Sequence, residues 1–241
     1  MSFYLRRSPP AAADHDVAEQ PFWISFSDLM TALMVMFLVA MSVALLAITH
    51  EISQSEDERV ERLDDIDTFL NQLRKATEDI PGVAVRGRVI DFGERARFAT
   101  DSHQLTLDQT IMLREIAPRI LELARNPLGQ KWLKRIVVEG FADARGSYLY
   151  NLNLSLQRSE RLLCVLLAAP PAPAALSAAD RMLARDLFLV SGSSYNALRA
   201  SQDESRRIEL RLEFFDIGEM RLHSRSGRDI PLEEENRCPL D

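Results

Sequence analysis

The longest uninterrupted apolar stretch of the chain lies near its start, at residues 29–48 (LMTALMVMFLVAMSVALLAI). It carries no charged side chain, and only Thr31 and Ser42 add hydroxyl groups. An α-helix of about 20 residues spans the roughly 30 Å hydrocarbon core of a bilayer. The pattern therefore predicts a transmembrane helix at residues 21–49, preceded by a flexible tail at residues 1–20.

A secretory signal peptide is an alternative interpretation of this stretch, since the small residues near Ala40 and Ser42 are compatible with a cleavage site. The apolar part of a signal peptide usually runs for about 7 to 15 residues after a short basic start. Here the preceding segment is long and includes Asp14, Asp16 and Glu19. A retained membrane anchor fits this pattern better.

A second apolar pattern follows the membrane segment and has the spacing of an amphipathic helix. Its apolar residues recur at intervals of three and four: Leu63, Ile66, Leu70 and Leu73. Pro81 and Gly82 end the pattern because a proline removes a helical hydrogen bond. We interpret residues 50–82 as an amphipathic helical linker.

From Val83 onward, candidate strands alternate with candidate helices. The predicted strands are Val83–Phe92, Arg135–Gly140, Leu187–Val190 and Arg206–Phe214. The predicted helices lie at residues 106–125, 153–167 and 177–185, the first with a capping box of Thr106 and Gln109. The order β-α-β-α-β-β predicts an α/β (α+β) fold with a mixed sheet and helices on one face. This domain occupies residues 83–214, and a C-terminal extension follows at residues 215–241.

The charge balance and the histidine spacing argue against several classes of function. The formal net charge is -7 and no run of Lys and Arg exceeds a pair, which argues against direct nucleic-acid binding. The four histidines are widely spaced, and H-E-x-x-H, G-x-S-x-G and phosphate-binding glycine loops are absent from the sequence. We therefore predict no catalytic constellation, no metal site and no cofactor.

The two cysteines, Cys164 and Cys238, lie far apart in the sequence and form no C-x-x-C motif. Cys164 lies in an apolar helical stretch, so a buried free thiol is one interpretation. A disulfide between the two cysteines is the other, if this part of the chain is in an oxidising compartment. Histidines at metal-ligand spacing are missing from both positions, which argues against metal binding.

Asp28 lies at the start of the membrane segment, where an ionised side chain is costly and normally faces protein or a water-filled cavity. At about 100° per residue, several hydroxyl-bearing residues fall within roughly 60° of its direction around the helix. They are Ser25, Thr31, Ser42 and Thr49. A carboxylate in a low-dielectric environment favours its protonated form, so a reversible proton site is chemically available. Alternatively, Asp28 lies at the headgroup level or caps the start of the helix.

The segment around Asp28 resembles a motif of a known family. It reads Trp23-Ile-Ser-Phe-Ser-Asp28-Leu-Met-Thr31-Ala-Leu-Met-Val-Met-Phe37. This sequence is similar to the start of the membrane helix in B subunits of ion-driven stator motors, of the flagellar MotB type. The resemblance implies that Asp28 accepts the translocated ion, with a proton favoured over sodium. It also implies that two copies of the chain pair inside a ring of MotA-like or ZorA-like multi-pass subunits, with the N-terminus in the cytoplasm.

A second resemblance covers roughly residues 83–214. Its central motif reads Gly140-Phe-Ala-Asp143-Ala-Arg-Gly146-Ser-Tyr-Leu-Tyr150-Asn151-Leu-Asn-Leu154-Ser155-Leu-Gln-Arg158-Ser, with Arg206-Arg207-Ile-Glu209 downstream. This pattern is similar to the OmpA-like peptidoglycan-binding domains. The resemblance assigns peptidoglycan binding to four residues: Asp143, Asn151, Arg158 and Arg207. Ala142 and Ser205 depart from the threonine and asparagine of the family pattern, which leaves the individual contacts open.

The chemistry of the ligand explains why a cation and an anion are needed together. Diaminopimelate in the peptidoglycan stem carries a carboxylate and an ammonium group at one end. By resemblance, Arg158 would grip the carboxylate through two parallel N–H donors, and Asp143 would accept from the ammonium. Judged from the residues alone, Asp143 could instead cap the following segment and Arg158 could be a solvated helix residue.

Together the two resemblances predict a stator B subunit: a single-pass protein of the bacterial inner membrane with its C-terminal domain in the periplasm. The tail contains few lysines or arginines and the linker is compact, which favours the B subunit of Zorya anti-phage defence over flagellar MotB. A passive tether between membrane and peptidoglycan is an alternative, in which no ion moves. An enzyme that acts on the cell wall is a third hypothesis.

Overall fold

The computed structural model describes residues 20–168, 175–219 and 238–240. The predicted tail at residues 1–20, apart from Gln20, and most of the predicted C-terminal extension lie outside the described residues. The chain divides into two compact units, Met1–Asp57 and Glu58–Asp241.

The described residues form helices and strands in the alternating order expected for an α/β chain. The helices are α1 (Gln20–Thr77), a 3-10 helix (Gly93–Ala96), α2 (Leu107–Arg125), α3 (Pro127–Trp132), α4 (Tyr148–Leu167), α5 (Ala178–Leu187) and α6 (Gln202–Ser205). The strands are β1 (Ala84–Arg86), β2 (Val89–Asp91), β3 (Leu133–Gly140), β4 (Phe188–Gly192) and β5 (Ile208–Phe214).

In the first unit, the apolar part of α1 is long enough to cross a membrane. This part, Phe26–His50, has 25 residues and a mean hydropathy of 2.6, and none of its apolar window is buried within the chain. The hydroxyl groups of Thr31 and Ser42 donate to the carbonyl oxygens of Ser27 at 2.8 Å and Leu38 at 2.7 Å. These polar groups are therefore satisfied within the helix, which lowers the cost of placing them in lipid.

The second unit is built on a five-stranded sheet with the strand order β1-β2-β5-β3-β4. Strands β3 and β4 are parallel, and the other neighbouring pairs are antiparallel. The parallel pair requires a crossover connection, which helices α4 and α5 supply. The predicted fold class, with its mixed sheet, is confirmed.

The side chains of β5 alternate between an apolar face of the sheet and a charged face. Ile208, Leu210 and Leu212 are buried and join a core with residues of the helices. On the opposite face, Arg211 forms an ion pair with Glu139 of β3. The alternation follows from the two-residue period of a strand, which sends successive side chains to opposite faces.

The second half of α1 belongs to the core of this unit, which corrects the prediction of a linker. Ile66, Leu70, Phe69 and Leu73 are all buried, and the ring of Phe69 meets that of Phe214 edge-on at 5.7 Å between centroids. The three-and-four spacing correctly predicted an amphipathic helix. Its apolar face covers the sheet, so the compact unit begins at Glu58 rather than at residue 83.

Most other predicted bounds agree to within two residues, but two elements differ by more. The predicted strand Val83–Phe92 is a hairpin of β1 and β2, which turns at Gly87 with a positive φ of 58°. Helix α4 begins at Tyr148 rather than near residue 153, because the Ser147 hydroxyl accepts a hydrogen bond from the amide of Tyr150 and caps it. The predicted capping box at the start of α2 is present.

We predict that Phe69→Ala lowers the free energy of unfolding by about 3–5 kcal/mol, because it removes a fully buried ring from the core. Leu63→Ala on the same helix is the control, since Leu63 is 57% exposed and its truncation should cost at most about 0.5 kcal/mol. Chemical denaturation of the full chain in detergent measures both. Equal losses for the two variants would contradict the assignment of this helix to the core.

Candidate functional site

The loop after β3, residues 141–147, carries the predicted binding residue Asp143 and lies against helix α4. Gly140 and Gly192 are register partners at the ends of β3 and β4. A Cβ atom at Gly140 would overlap the carbonyl oxygen of Ser155 on α4, and one at Gly192 would lie 2.8 Å from the Ser155 hydroxyl oxygen. The two glycines therefore let the backbone of α4 approach the strand ends closely.

Arg158 on α4 is fully buried and ties this loop to a second one. Its Nη1 donates to the carbonyl of Phe141 at 2.8 Å, its Nε to that of Ser102 at 2.9 Å, and its Nη2 to that of Ala99 at 3.2 Å. The guanidinium also lies over the ring of Phe98, 5.0 Å from the centroid. Burial lowers the pKa of Arg158 to about 10, which still leaves a cation at neutral pH.

These contacts give Arg158 a different place from the one expected for a direct grip on a ligand carboxylate. A side chain with no exposed surface cannot touch a ligand unless its surroundings move. Its three described acceptors are backbone carbonyl groups of the two loops. Arg158 therefore positions the loop that carries Asp143, and its role in holding a ligand stays a prediction.

Asp143 is 4% exposed and is surrounded by arginines. The Nη2 of Arg145 lies 2.6 Å from its Oδ2, and the Nη1 of Arg206 lies 3.0 Å from the same oxygen. The backbone amide of Arg145 donates to Oδ1 at 3.0 Å. Burial would raise the pKa of Asp143, but the hydrogen bonds from Arg145 and Arg206 outweigh it and lower the pKa to about 2.

Asn151 and Arg207, the other two predicted binding residues, hold the same loop from within. The Nδ2 of Asn151 donates to the carbonyl oxygens of Arg145 at 2.6 Å and Ser147 at 3.2 Å. The guanidinium of Arg207 lies 4.1 Å from the ring centroid of Phe141. Both side chains are buried, Asn151 at 2% and Arg207 at 6% exposure. Of the four predicted residues, the structure brings all to this loop.

Arg207 also belongs to a small buried ion cluster. Its Nε donates to Oε1 of Glu209 at 2.6 Å, and the Nη2 of Arg199 lies 2.7 Å from the same oxygen. Arg199 in turn reaches Asp91 on β2 at 3.1 Å. The two acids and two arginines compensate one another, so Arg207 is fixed as part of the fold.

Cys164 and Cys238 form a disulfide, with their Cα atoms 5.3 Å apart. The bond fastens residues 238–240 to helix α4, and the Nη2 of Arg161 donates to the carbonyl oxygen of Leu240 at 2.9 Å. Of the two interpretations of these cysteines, the structure agrees with the disulfide and not with a buried free thiol.

Asp28, the predicted ion site, lies in the first unit on the apolar part of α1, and its side chain is exposed in the single chain. Thr31 and Ser42 of the predicted polar stripe bond to their own helix, as does Thr49 through the carbonyl oxygen of Leu46 at 3.0 Å. The role of Asp28 stays a prediction.

A known relative decides the family of the chain. The protein is 41% identical over 210 residues to the Zorya protein ZorB of Escherichia coli O139:H28 (strain E24377A / ETEC), and the match covers 86% of this chain and 85% of the relative. The chain belongs to the ZorB family. This finding confirms the predicted resemblance to stator B subunits of the Zorya type. No family model matches the chain.

Solved structures with some likeness to this chain share low sequence identity with it. The periplasmic domain of Helicobacter pylori MotB is 14% identical, with a TM-score of 0.40, and covers 58% of this chain and 85% of that one. The OmpA-like domain of FopA1 from Francisella tularensis has a TM-score of 0.35 at 14% identity, with 56% and 82% covered. The peptidoglycan-associated lipoprotein of Burkholderia pseudomallei has a TM-score of 0.32 at 16% identity, with 50% and 88% covered.

The sequence motifs did not single out the two arginines that contact Asp143. Arg145 stands two residues after it, and Arg206 is the first of the arginine pair whose second member was selected. The two motifs together contain four arginines, Arg145, Arg158, Arg206 and Arg207, and one predicted binding aspartate, Asp143. A sequence cannot say which of two adjacent arginines points to that aspartate, since the answer depends on the turn before β5.

The two departures from the family pattern are accommodated without an unsatisfied backbone group. The amide of Ala142 donates to the carbonyl oxygen of Ser194 at 2.7 Å. The hydroxyl of Ser205 donates to the carbonyl oxygen of Ser201 at 2.8 Å and accepts from the amide of Arg199 at 3.0 Å. Among the described residues, no group of three or more His, Cys, Asp or Glu could hold a metal ion.

We predict that the contribution of Asp143 to stability is lost at low pH. Its folded-state pKa of about 2 lies below the ordinary value of 3.8, so the contribution is present above about pH 4 and disappears as the pH falls through 2. The difference in free energy of unfolding between the wild type and Asp143→Asn should therefore shrink by about 2 kcal/mol between pH 6 and pH 2. Denaturant titrations at several pH values measure it, and a difference independent of pH would contradict the ion pairs.

Proposed function

We propose that this protein is the B subunit of an ion-driven, stator-type motor of the inner membrane that serves anti-phage defence. Two copies would pair within a ring of ZorA-like multi-pass subunits. The N-terminus lies in the cytoplasm and the second unit in the periplasm, where it binds peptidoglycan. Asp28 accepts and releases the translocated proton, and no further cofactor is required.

One observation carries the proposal: a member of the ZorB family places an ionisable side chain on a helix that is otherwise uncharged over the length of a bilayer. Helix α1 is apolar enough to cross a membrane from Phe26 to His50, and Asp28 lies near the start of that span. An ionised carboxylate facing lipid costs several kcal/mol, so its retention there favours a protein-lined path. A ring of partner subunits supplies such a path.

The second unit supports the anchoring half of the proposal. A rotary motor can deliver torque only if its stationary part is anchored, so that it does not turn with the rotating part. The loop at residues 141–147 offers a carboxylate, Asp143, beside several guanidinium groups. A zwitterionic amino-acid end such as that of diaminopimelate carries the complementary charges. The disulfide Cys164–Cys238 is consistent with the oxidising periplasm.

We predict that Asp28→Asn abolishes protection against phage while the protein still assembles with its ZorA-like partner. Asparagine has nearly the same volume but cannot carry the proton, so ion transfer stops and packing is preserved. Plaque counts measure protection, and copurification in detergent measures assembly.

The control is Asp57→Asn, which makes the same chemical change outside the apolar span on the same helix. It should protect as well as the wild type. Full protection by Asp28→Asn would leave only the passive tether between membrane and wall.

We also predict that the full chain in detergent sediments with isolated peptidoglycan sacculi without releasing soluble fragments. Asp143→Asn should weaken this binding by about tenfold, because it removes one charged partner of the ligand. Asp79→Asn changes an exposed acid by the same chemistry and should bind normally. Release of soluble muropeptides would instead identify an enzyme that acts on the wall.

A further inference from the structure

The carboxylate of Asp143 is already occupied. Its Oδ2 accepts from Nη2 of Arg145 at 2.6 Å, from Nε of Arg145 at 3.2 Å and from Nη1 of Arg206 at 3.0 Å. Its Oδ1 accepts from the backbone amide of Arg145 at 3.0 Å and from Nε at 3.3 Å. A carboxylate offers about four acceptor directions. An incoming ammonium group therefore finds no free place unless one guanidinium leaves.

The two arginines differ in how firmly they are held. The Nε of Arg206 donates to the carbonyl oxygen of Phe98 at 2.9 Å, and its Nη2 pairs with Asp203 at 2.7 Å. Its side chain is only 12% exposed. Together with Asp143, these contacts give Arg206 three separate partners that fix it in place. Movement of Arg206 would break all of these contacts together.

Arg145 is held loosely by comparison. Its side chain is 49% exposed, and apart from Asp143 its described hydrogen-bond partner is the exposed hydroxyl of Thr100, at 3.0 Å from Nη2. The hydrogen bond to Asp143 raises the pKa of Arg145, and the nearby carboxylate of Asp101 adds a smaller rise. Asp101 is therefore a second acid with which the guanidinium can pair if Arg145 leaves Asp143.

We propose that Arg145 is a gate on Asp143: without ligand its guanidinium occupies the carboxylate, and the ammonium group of a peptidoglycan stem peptide displaces it while Arg206 stays. This inference rests on the proposed function, in which peptidoglycan binds at Asp143. The exchange replaces one cation by another, so the buried carboxylate keeps a charged partner in both states. Arg145 would then limit the affinity for the ligand. The exchange would also favour ligands with a cationic group over neutral ones, because only a cation can replace the guanidinium.

The gate lowers the apparent affinity because only the fraction of molecules with Arg145 displaced can bind. The Arg145 side of this ion pair is half exposed to solvent, which weakens the pair, so removal of the guanidinium should tighten binding by about twofold to fivefold. The effect has the opposite sign from that expected of a residue that holds the ligand. The sign of the change therefore separates a gate from a binding residue.

The experiment measures binding of the full chain in detergent to the soluble peptide L-Ala-γ-D-Glu-meso-diaminopimelate-D-Ala by isothermal titration calorimetry. We expect Arg145→Gln to bind about twofold to fivefold more tightly than the wild type. The matched control is Arg135→Gln, which removes the same charge from a side chain of similar exposure, 45%, on the outer face of β3. Its affinity should equal that of the wild type.

Weaker or unchanged binding by Arg145→Gln overturns the gate, as does an equal gain in the control. If the wild type binds the peptide and Arg145→Gln binds no better, the gate alone fails. If the wild type does not bind the peptide or sacculi at all, the proposed anchoring function fails with it.

A second variant keeps the gate testable if Arg145→Gln does not fold. Arg145→Lys preserves the charge but cannot make the paired contact of a guanidinium with the carboxylate. Its affinity should lie above that of the wild type and below that of Arg145→Gln. An affinity at or below that of the wild type overturns the proposal.

Discussion

The candidate site depends on one fully buried cation, Arg158. A guanidinium that is withdrawn from water must be compensated, and here the compensation comes from three backbone carbonyl groups on two loops that are distant in sequence. Phe141 opens the loop that carries Asp143, and Ala99 and Ser102 belong to the loop before α2. Both loops are therefore fixed to helix α4. The arrangement also requires that α4 lie close to the strand ends, which Gly140 and Gly192 permit.

The charge pattern around Asp143 follows from this scaffold. Arg158 donates its hydrogen bonds to backbone carbonyl oxygens. The partners of Asp143 are instead Arg145 from its own loop and Arg206 from the turn before β5. One of these arginines is nearly buried and multiply bonded, and the other is half exposed. In the proposed gate, Arg145 leaves and Arg206 stays, so Asp143 exchanges one partner without being left unpaired. This property suits a receptor for a zwitterionic ligand.

The two units place different physical demands on the same helix. The span Phe26–His50 is largely apolar, and the hydroxyl groups of Thr31, Ser42 and Thr49 donate to carbonyl oxygens of the same helix, as a helix in lipid requires. The segment from Glu58 has one buried apolar face and polar contacts at its flank, such as the hydrogen bond from the indole of Trp132 to Asp65 at 2.7 Å. In the proposed function, the first segment carries the ion and the second is part of the anchor. The same helix would then connect the ion site at Asp28 to the peptidoglycan anchor.

Local composition, periodicity and short motifs were enough to predict four features from the sequence: the long apolar helix, the capping box of α2, the mixed α/β class and the family. Asp143, Asn151, Arg158 and Arg207 could also be selected from motifs. How deeply each of these side chains is buried, and which partners it has, could not be predicted from the motifs. Burial of Arg158, the choice of Arg206 over Arg207 as a partner of Asp143, and the packing of α1 on the sheet all depend on contacts between distant segments. Such contacts have no period and no fixed spacing along the chain, so only the folded protein reveals them.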